Sequence, residues 1–151
     1  MRVNIKRMSD TARIPTRGSE EAAGYDLCAD MERSCLIRPG ETVFLGTGLT
    51  AEIPKGTVGL VYARSGLASR EGLRPANCVG VIDSDYRGEI RVALHNDDPA
   101  RVAEVLPSQR IAQLVLTPYL TMELREVDAL SETGRGNGGF GSTGKGGPAV
   151  D

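Results

Sequence analysis

The stretch Cys78-Val-Gly-Val-Ile-Asp-Ser-Asp-Tyr-Arg-Gly-Glu-Ile90 carries an apolar β pattern straight into two carboxylates, an aromatic ring and a guanidinium. On extended backbone Asp83 and Asp85 project to one face, where two like charges repel unless a cation, a bound water or a turn of the chain relieves them. A carboxylate held this way can orient a water and take its proton. The same residues also suit a hairpin with a solvated acidic tip, because Asp, Ser and Gly are ordinary turn residues. Both readings stand on this stretch alone.

A second group sits at Arg64-Ser65-Gly66-Leu67, where a predicted strand gives way to a short predicted helix. It offers a guanidinium able to grip phosphate bidentately, a hydroxyl, and N–H groups at the helix start. The plainer alternative is Ser65 as an ordinary N-cap with Arg64 on the surface. Asp26, in Ala23-Gly-Tyr-Asp-Leu27, and Gln113, in Arg110-Ile-Ala-Gln-Leu114, are polar residues set into strand patterns. Each either faces solvent or serves a site. His95 reads as a strand-end surface residue, and with one histidine and no G-x-S-x-G turn, nucleophilic triads have no support.

The third group is the tail. From Gly134 the chain reads Gly-Arg-Gly-Asn-Gly-Gly-Phe-Gly-Ser-Thr-Gly-Lys-Gly-Gly, with almost nothing to bury, so it is expected to be mobile when alone. Gly134-x-Gly136-x-x-Gly139 satisfies the dinucleotide fingerprint, and Gly139-x-x-x-x-Gly144-Lys145 misses the P-loop only at Gly146. Both motifs need a strand before and a helix after them, and the residues up to Asp151 supply no helix. The chemistry survives the loss of the motif. Glycines let backbone N–H groups approach an anion, Arg135, Ser142, Thr143 and Lys145 add donors, and Phe140 offers a ring face with no core to join.

The elements that must position these groups are short strands. Arg2 to Met8 alternates; Val43 to Ile53 is broken only at Gly46 and Gly48; Thr57–Ala63, Cys78–Ile82, Glu89–Leu94, Val102–Leu106 and Ile111–Leu116 follow. Pro39-Gly40, Pro54-Lys-Gly56, Arg87-Gly88, Asp98-Pro99 and Pro107-Ser108 punctuate them as turns. Many short strands at this spacing predict an all-β sandwich or barrel. One helix is expected, from Ser65 through Leu67, Ala68 and Glu71 to Gly72.

At 151 residues and 40% hydrophobic content the chain suits one domain that buries a core without staples. Three cysteines, Cys28, Cys35 and Cys78, are odd in number and lack C-x-x-C spacing; with no secretory leader they read as reduced thiols of a cytoplasmic protein. A structural zinc lacks ligand pairs. No apolar run approaches the roughly 18 residues of a membrane span. A net charge of −2 gives no general footprint for nucleic acid; any phosphate must be met locally.

Ala23-Gly-Tyr-Asp-Leu27, Arg64-Ser-Gly-Leu-Ala68, Gly80-Val-Ile-Asp-Ser-Asp-Tyr-Arg-Gly88, Arg110-Ile-Ala-Gln-Leu114 and Arg135-Gly-Asn-Gly-Gly-Phe-Gly-Ser142 together resemble, in order and approximate spacing, the five motifs of the trimeric dUTPases. The resemblance implies a jelly-roll-like catalytic domain over residues 1–133 and a glycine-rich arm over 134–151 that closes on the site of another subunit. It implies a homotrimer with shared sites and hydrolysis of dUTP to dUMP and pyrophosphate, with Mg²⁺ held mainly by the triphosphate. That reaction keeps uracil out of DNA and supplies dUMP for thymidylate synthesis. By the same resemblance Asp83 is the general base, Arg64, Ser65 and Gly66 seat phosphate, Gln113 meets the α-phosphate region, and Asp26 supports the metal through water. Asn77, Gly80, Val81, Ile82 and Arg91 fall on the hairpin whose main chain reads uracil, and Tyr86 packs under deoxyribose. Phe140 stacks on the base while Arg135, Gly141, Ser142 and Thr143 close over the phosphates.

Two positions depart from the pattern: Ala63 stands where a proline often precedes the Arg-Ser-Gly motif, and Ser108-Gln109 replaces the usual Gly-Asp. Three rivals share parts of the picture. A dCTP deaminase on the same fold would need a glutamate near Ala93, which has no proton to move. A nucleotide sensor without turnover and an assembly protein without ligand complete the set.

Overall fold

The computed structural model describes residues 1–139. Twelve strands and one helix follow in the order β1 (Asn4–Arg7), β2 (Thr16–Arg17), β3 (Tyr25–Cys28), β4 (Cys35–Ile37), β5 (Thr42–Gly46), β6 (Leu49–Glu52), β7 (Thr57–Tyr62), α1 (Ser65–Glu71), β8 (Leu73–Pro75), β9 (Gly80–Ile82), β10 (Arg91–Asn96), β11 (Ala103–Val105) and β12 (Arg110–Pro118). They form a jelly-roll-like sandwich, as expected. The largest sheet has the order β2-β3-β12-β7-β9; β5-β10-β8 is a second sheet, and the pairs β1-β6 and β4-β11 complete the set. Every ladder is antiparallel.

Alternation sets which face each strand buries. In β7 Thr57, Gly59 and Val61 point inward, and in β10 Val92, Leu94 and Asn96 do. Leu27, Ile37, Leu49, Leu73, Ile90, Leu94 and Ile111 are fully buried. Burying each such side chain stabilises the fold by about 1.5–3 kcal/mol. Because β3 and β12 carry both core residues and the candidate site residues Asp26 and Gln113, these groups stand on packed strands. Three polar residues, Thr47, Thr57 and Asn96, join the core; Asn96 donates from Nδ2 to the carbonyls of Ile37 (2.9 Å) and Arg101 (2.8 Å) and accepts from the N–H of Asp98 (3.0 Å).

The helix ends where a left-handed residue is needed, at Gly72 with φ 69°. Its start differs from the N-cap alternative. Arg64, extended at φ −84°, takes the cap position with no side-chain cap, so Ser65 is the first helical residue. A second finding concerns the acidic stretch. It is a crossing between sheets, not a two-stranded hairpin, since β9 pairs with β7 while β10 pairs with β5 and β8. The crossing is fixed by Ile90, whose N–H donates to the Leu49 carbonyl and whose carbonyl accepts from Thr47.

Ser108 shows what the Gly-Asp departure costs. It has φ 61°, the left-handed region where a side chain crowds the backbone. Gln109 compensates by closing the turn, its Oε1 accepting from the Leu106 N–H at 2.8 Å.

The chain divides into a unit of Met1–Leu120 and a unit of Thr121–Asp151. In the second, residues 121–139 hold no strand or helix, only a turn at 134–137. No helix among the described residues is long and apolar enough to cross a membrane.

Candidate active site

Asp26 is the centre of the first cluster. It lies on β3 opposite Gln113 of β12, and its carboxylate accepts from Arg64 Nε at 2.8 Å and from Arg110 Nη1 at 3.0 Å. Its side chain is only 13% exposed, so the two guanidiniums compensate a carboxylate largely removed from water. Arg64 is therefore a half-buried, positioned group rather than a free surface arginine.

Gln113 is held by close approach. A Cβ at Gly24 would collide with the Gln113 amide, so glycine there leaves the side chain room to lie against the backbone. The amide Nε2 donates to the Ala63 carbonyl at 2.8 Å. This contact ties β12 to the residue just before Arg64.

A break in β12 brings Arg110 to the same face. Register slips between Arg110, opposite Cys28, and Ala112, opposite Leu27. The bulge lets Ile111 and Ala112 both point into the core, and it places Arg110 beside Gln113. Asp26, Arg64, Ser65, Gly66, Gln109, Arg110 and Gln113 thus line one groove of about 390 Å³, with Arg70 and Glu71 at its side. On β3 burial pushes the Cys28 thiol up, against the pull of Arg13. All three cysteines are free.

Asp83 belongs to a different place. The strand stops at Ile82, and the Tyr86 N–H donates to the Asp83 carbonyl at 3.2 Å, so Asp83 and Asp85 sit on a turn instead of sharing a strand face. Both are exposed and line a cavity of about 820 Å³ with Val81, Ser84, Arg87, Lys55, Thr57, Val58, Ile53 and Tyr119. Arg87 fixes the turn by donating to the carbonyls of Ser84 (2.8 Å) and Tyr86 (2.9 Å).

Asn77, Gly80, Ile82, Tyr86 and Arg91 line neither cavity. Gly80 is buried beside Val61, with the Asn77 amide against it; Ile82 packs on the core. Tyr86 lies over Gly88 and donates to the Glu89 carbonyl at 2.9 Å. Arg91 stacks its guanidinium 5.7 Å from the Phe44 ring centroid. Arg135 donates to the Gly138 carbonyl at 2.8 Å within its own turn. Phe140, Gly141, Ser142 and Thr143 lie outside the described residues.

Two geometric facts organise these positions. First, β9 is the edge of the five-stranded sheet, so one side of its main chain keeps N–H and C=O groups unpaired. Second, β9 runs antiparallel to β7, with Gly80 opposite Val61 and Ile82 opposite Gly59. Asp83 therefore falls beside Val58, while Arg64 follows the other end of β7. Six residues of extended chain separate the two levels by roughly 20 Å. One chain holds the carboxylate and the guanidinium seat too far apart to act on one small group.

Among the described residues no three His, Cys, Asp or Glu side chains converge as a metal cage. The groove's donor set, Asp26 with lone pairs left on a carboxylate that two guanidiniums already touch, suits an ion whose shell is completed by phosphate oxygens and water.

Comparison with known proteins gives the class first. The fold is that of a Staphylococcus bacteriophage 80alpha dUTPase solved with dUpNHpp (TM-score 0.84, 29% identity, 95% of this chain and 99% of that one). A mutant dUTPase from phage phi11 of S. aureus, whose structure describes a structural Mg(II) ion, also superposes (TM-score 0.76, 25% identity, 85% of this chain and 98% of that one). In sequence the chain is 45% identical over 143 residues to the deoxyuridine 5'-triphosphate nucleotidohydrolase of Corynebacterium glutamicum, covering 95% of each. It is 46% identical over 145 residues to that of Nautilia profundicola, covering 96% of this chain and all of the relative. The dUTPase family model matches residues 10–144, and the chain belongs to that family of hydrolases.

Proposed function

We propose that the protein hydrolyses dUTP to dUMP and pyrophosphate at sites pooled between copies of the chain. The observation that carries this reading is the separation of the Asp83 turn from the Arg64 groove along β7. Each half is chemically incomplete, and a homotrimer with three shared sites joins them. The polyphosphate lies in the groove of one copy, against Arg64, Ser65, Gly66 and Gln113. The Asp83 turn and the β9 edge come from a neighbour.

Asp83 orients a water toward the α-phosphorus and takes its proton as the new P–O bond forms; the bond to the bridging oxygen breaks and pyrophosphate leaves. Arg64, kept in place by Asp26, meets charge gathering on the phosphate oxygens. Asp26 would be the protein's carboxylate toward a Mg²⁺ ion arriving with the triphosphate, and that ion would supply neutralisation of phosphate charge. The open main-chain edge at Gly80–Ile82 supports base reading. Uracil presents an O4 acceptor to N–H donors, whereas the N4 donor of cytosine leaves them unpaired, a mismatch that can cost several powers of ten. On this reading Asn77, whose amide lies against Gly80, holds the nucleoside together with Tyr86 and Arg91. The arm, residues 134–151, closes the site: Phe140 stacks on the base and Arg135, Gly141, Ser142 and Thr143 cover the phosphates. A cytoplasmic location fits an enzyme that acts on free nucleotides.

The test is product analysis with dUTP, dCTP and dTTP in the presence of Mg²⁺. Pyrophosphate from dUTP alone supports the reading. Ammonia from dCTP means a deaminase, and binding without product means a sensor. Asp83→Asn is expected to abolish turnover while keeping dUpNHpp affinity within about 3-fold, the pattern of a residue needed only in the transition state.

A further inference from the structure

Arg110 has no part in the reading above, yet it holds one of the two oxygens of Asp26. The two guanidiniums on that carboxylate differ. Arg64 is 27% exposed, uses its Nε, and has a second contact at 3.4 Å to the Arg110 carbonyl. Arg110 is 54% exposed, and Asp26 is the only group its guanidinium bonds among the described residues. An ion pair made by so exposed an arginine is worth little against solvent and is readily exchanged. Releasing Arg64 instead would strip the inner partner from a carboxylate that is nearly out of water.

Charge balance points the same way. The groove holds three guanidiniums, of Arg64, Arg70 and Arg110, against the carboxylates of Asp26 and Glu71. Its excess of positive charge depends on Arg110, and a polyphosphate needs that excess. Among the described residues the Nε and Nη2 donors of Arg110 bond no other group, and a guanidinium fork matches a phosphate edge.

We propose that Arg110 is a reserve polyphosphate ligand. In the free protein it is parked on Asp26; when the nucleotide's β,γ-phosphates enter the groove it exchanges that carboxylate for phosphate oxygens, and Asp26 keeps Arg64 in place. The bulge at Ile111 is the device that puts Arg110 on the groove face. This rests on the groove being a triphosphate seat and adds a residue that discriminates triphosphate from monophosphate.

Calorimetric titration of Arg110→Gln and Arg110→Lys with dUpNHpp and with dUMP tests it. For Arg110→Gln the expected result is a dUpNHpp affinity lower by about 10- to 100-fold, with dUMP changed by less than about 3-fold. In turnover, KM rises and kcat at saturation stays within a few-fold, as for a binding interaction present throughout the reaction. Arg110→Lys keeps the charge and the Asp26 contact, so it recovers most of the dUpNHpp affinity and serves if the glutamine variant folds poorly. Equal losses for dUpNHpp and dUMP, or a kcat that falls with KM unchanged, would mean Arg110 only braces Asp26 and would overturn the proposal. A wild-type chain that binds neither nucleotide would instead sink the dUTP reading itself.

Discussion

Gly24→Ala tests whether Gln113 is positioned by empty space. Gly24 has ordinary backbone angles, so the substitution adds no conformational strain, and only the new methyl matters. That methyl would overlap the Gln113 amide oxygen and lie 3.1 Å from its Cδ and 3.3 Å from its Cβ. Contact with the Cδ means that turning the amide is insufficient; the side chain must swing about its inner bonds, and its 2.8 Å bond to the Ala63 carbonyl breaks. The lost bond costs about 1 kcal/mol net and a displaced rotamer about 0.5–1.5. Replacing glycine gives back about 0.4–1 through the unfolded chain. The balance is a loss of about 1 kcal/mol, a fall in Tm of about 2–4 °C. Activity suffers more on the proposed function, in which this amide meets phosphate: a shift of an ångström there costs up to about 100-fold in kcat/KM. The decisive assay is a double-mutant cycle followed by pyrophosphate release. In a Gln113→Ala background the contacts with the amide are gone and only the 3.3 Å approach to Cβ remains, so Gly24→Ala is expected to have little further effect on kcat/KM. If the two losses multiplied, Gly24 would act by some route other than Gln113 and the reasoning would be refuted.

Two smaller predictions concern the scaffold. Ser108→Gly relieves a left-handed serine and is expected to raise Tm by about 1–3 °C with unchanged turnover; a fall in Tm on thermal melting would contradict the assignment of cost to that turn. Asp98 accepts from the N–H groups of Ala100 (3.0 Å) and Arg101 (2.8 Å), and these hold its carboxyl below the usual value. A depressed carboxyl adds stability that is fully present above the unfolded value, near pH 4, and is lost as pH falls through the folded one. The Tm gap between wild type and Asp98→Ala is therefore expected to shrink between pH 5 and pH 2.5, and a constant gap would be inconsistent with this origin.

The sequence was most legible where local rules governed. Gly46 and Gly48 did separate β5 from β6, and Gly72 did end α1 with a left-handed residue. The family and its sandwich followed from five motifs spread along the chain. What stayed hidden depended on contacts distant in sequence. The Asp26–Arg64 pair spans 38 residues, and nothing near either residue announces it. Strict alternation puts Arg110 and Gln113 on opposite faces; only the bulge, created by two consecutive core residues, unites them. The residues after Ile82 read as a hairpin because local turn chemistry cannot show that β9 and β10 join different sheets. The distance between Asp83 and the groove was equally invisible, since it follows from the β7–β9 register.

That distance leads to the most direct test. Asp83→Asn and Arg64→Ala chains, each expected to be inactive alone, should be unfolded, mixed in equal amounts and refolded together, then assayed for dUTP hydrolysis. In randomly mixed trimers about a quarter of the junctions join an intact Asp83 turn to an intact groove, so activity near a quarter of wild type is the predicted result. Mixtures that assemble yet stay as inactive as their parents would contradict the shared site.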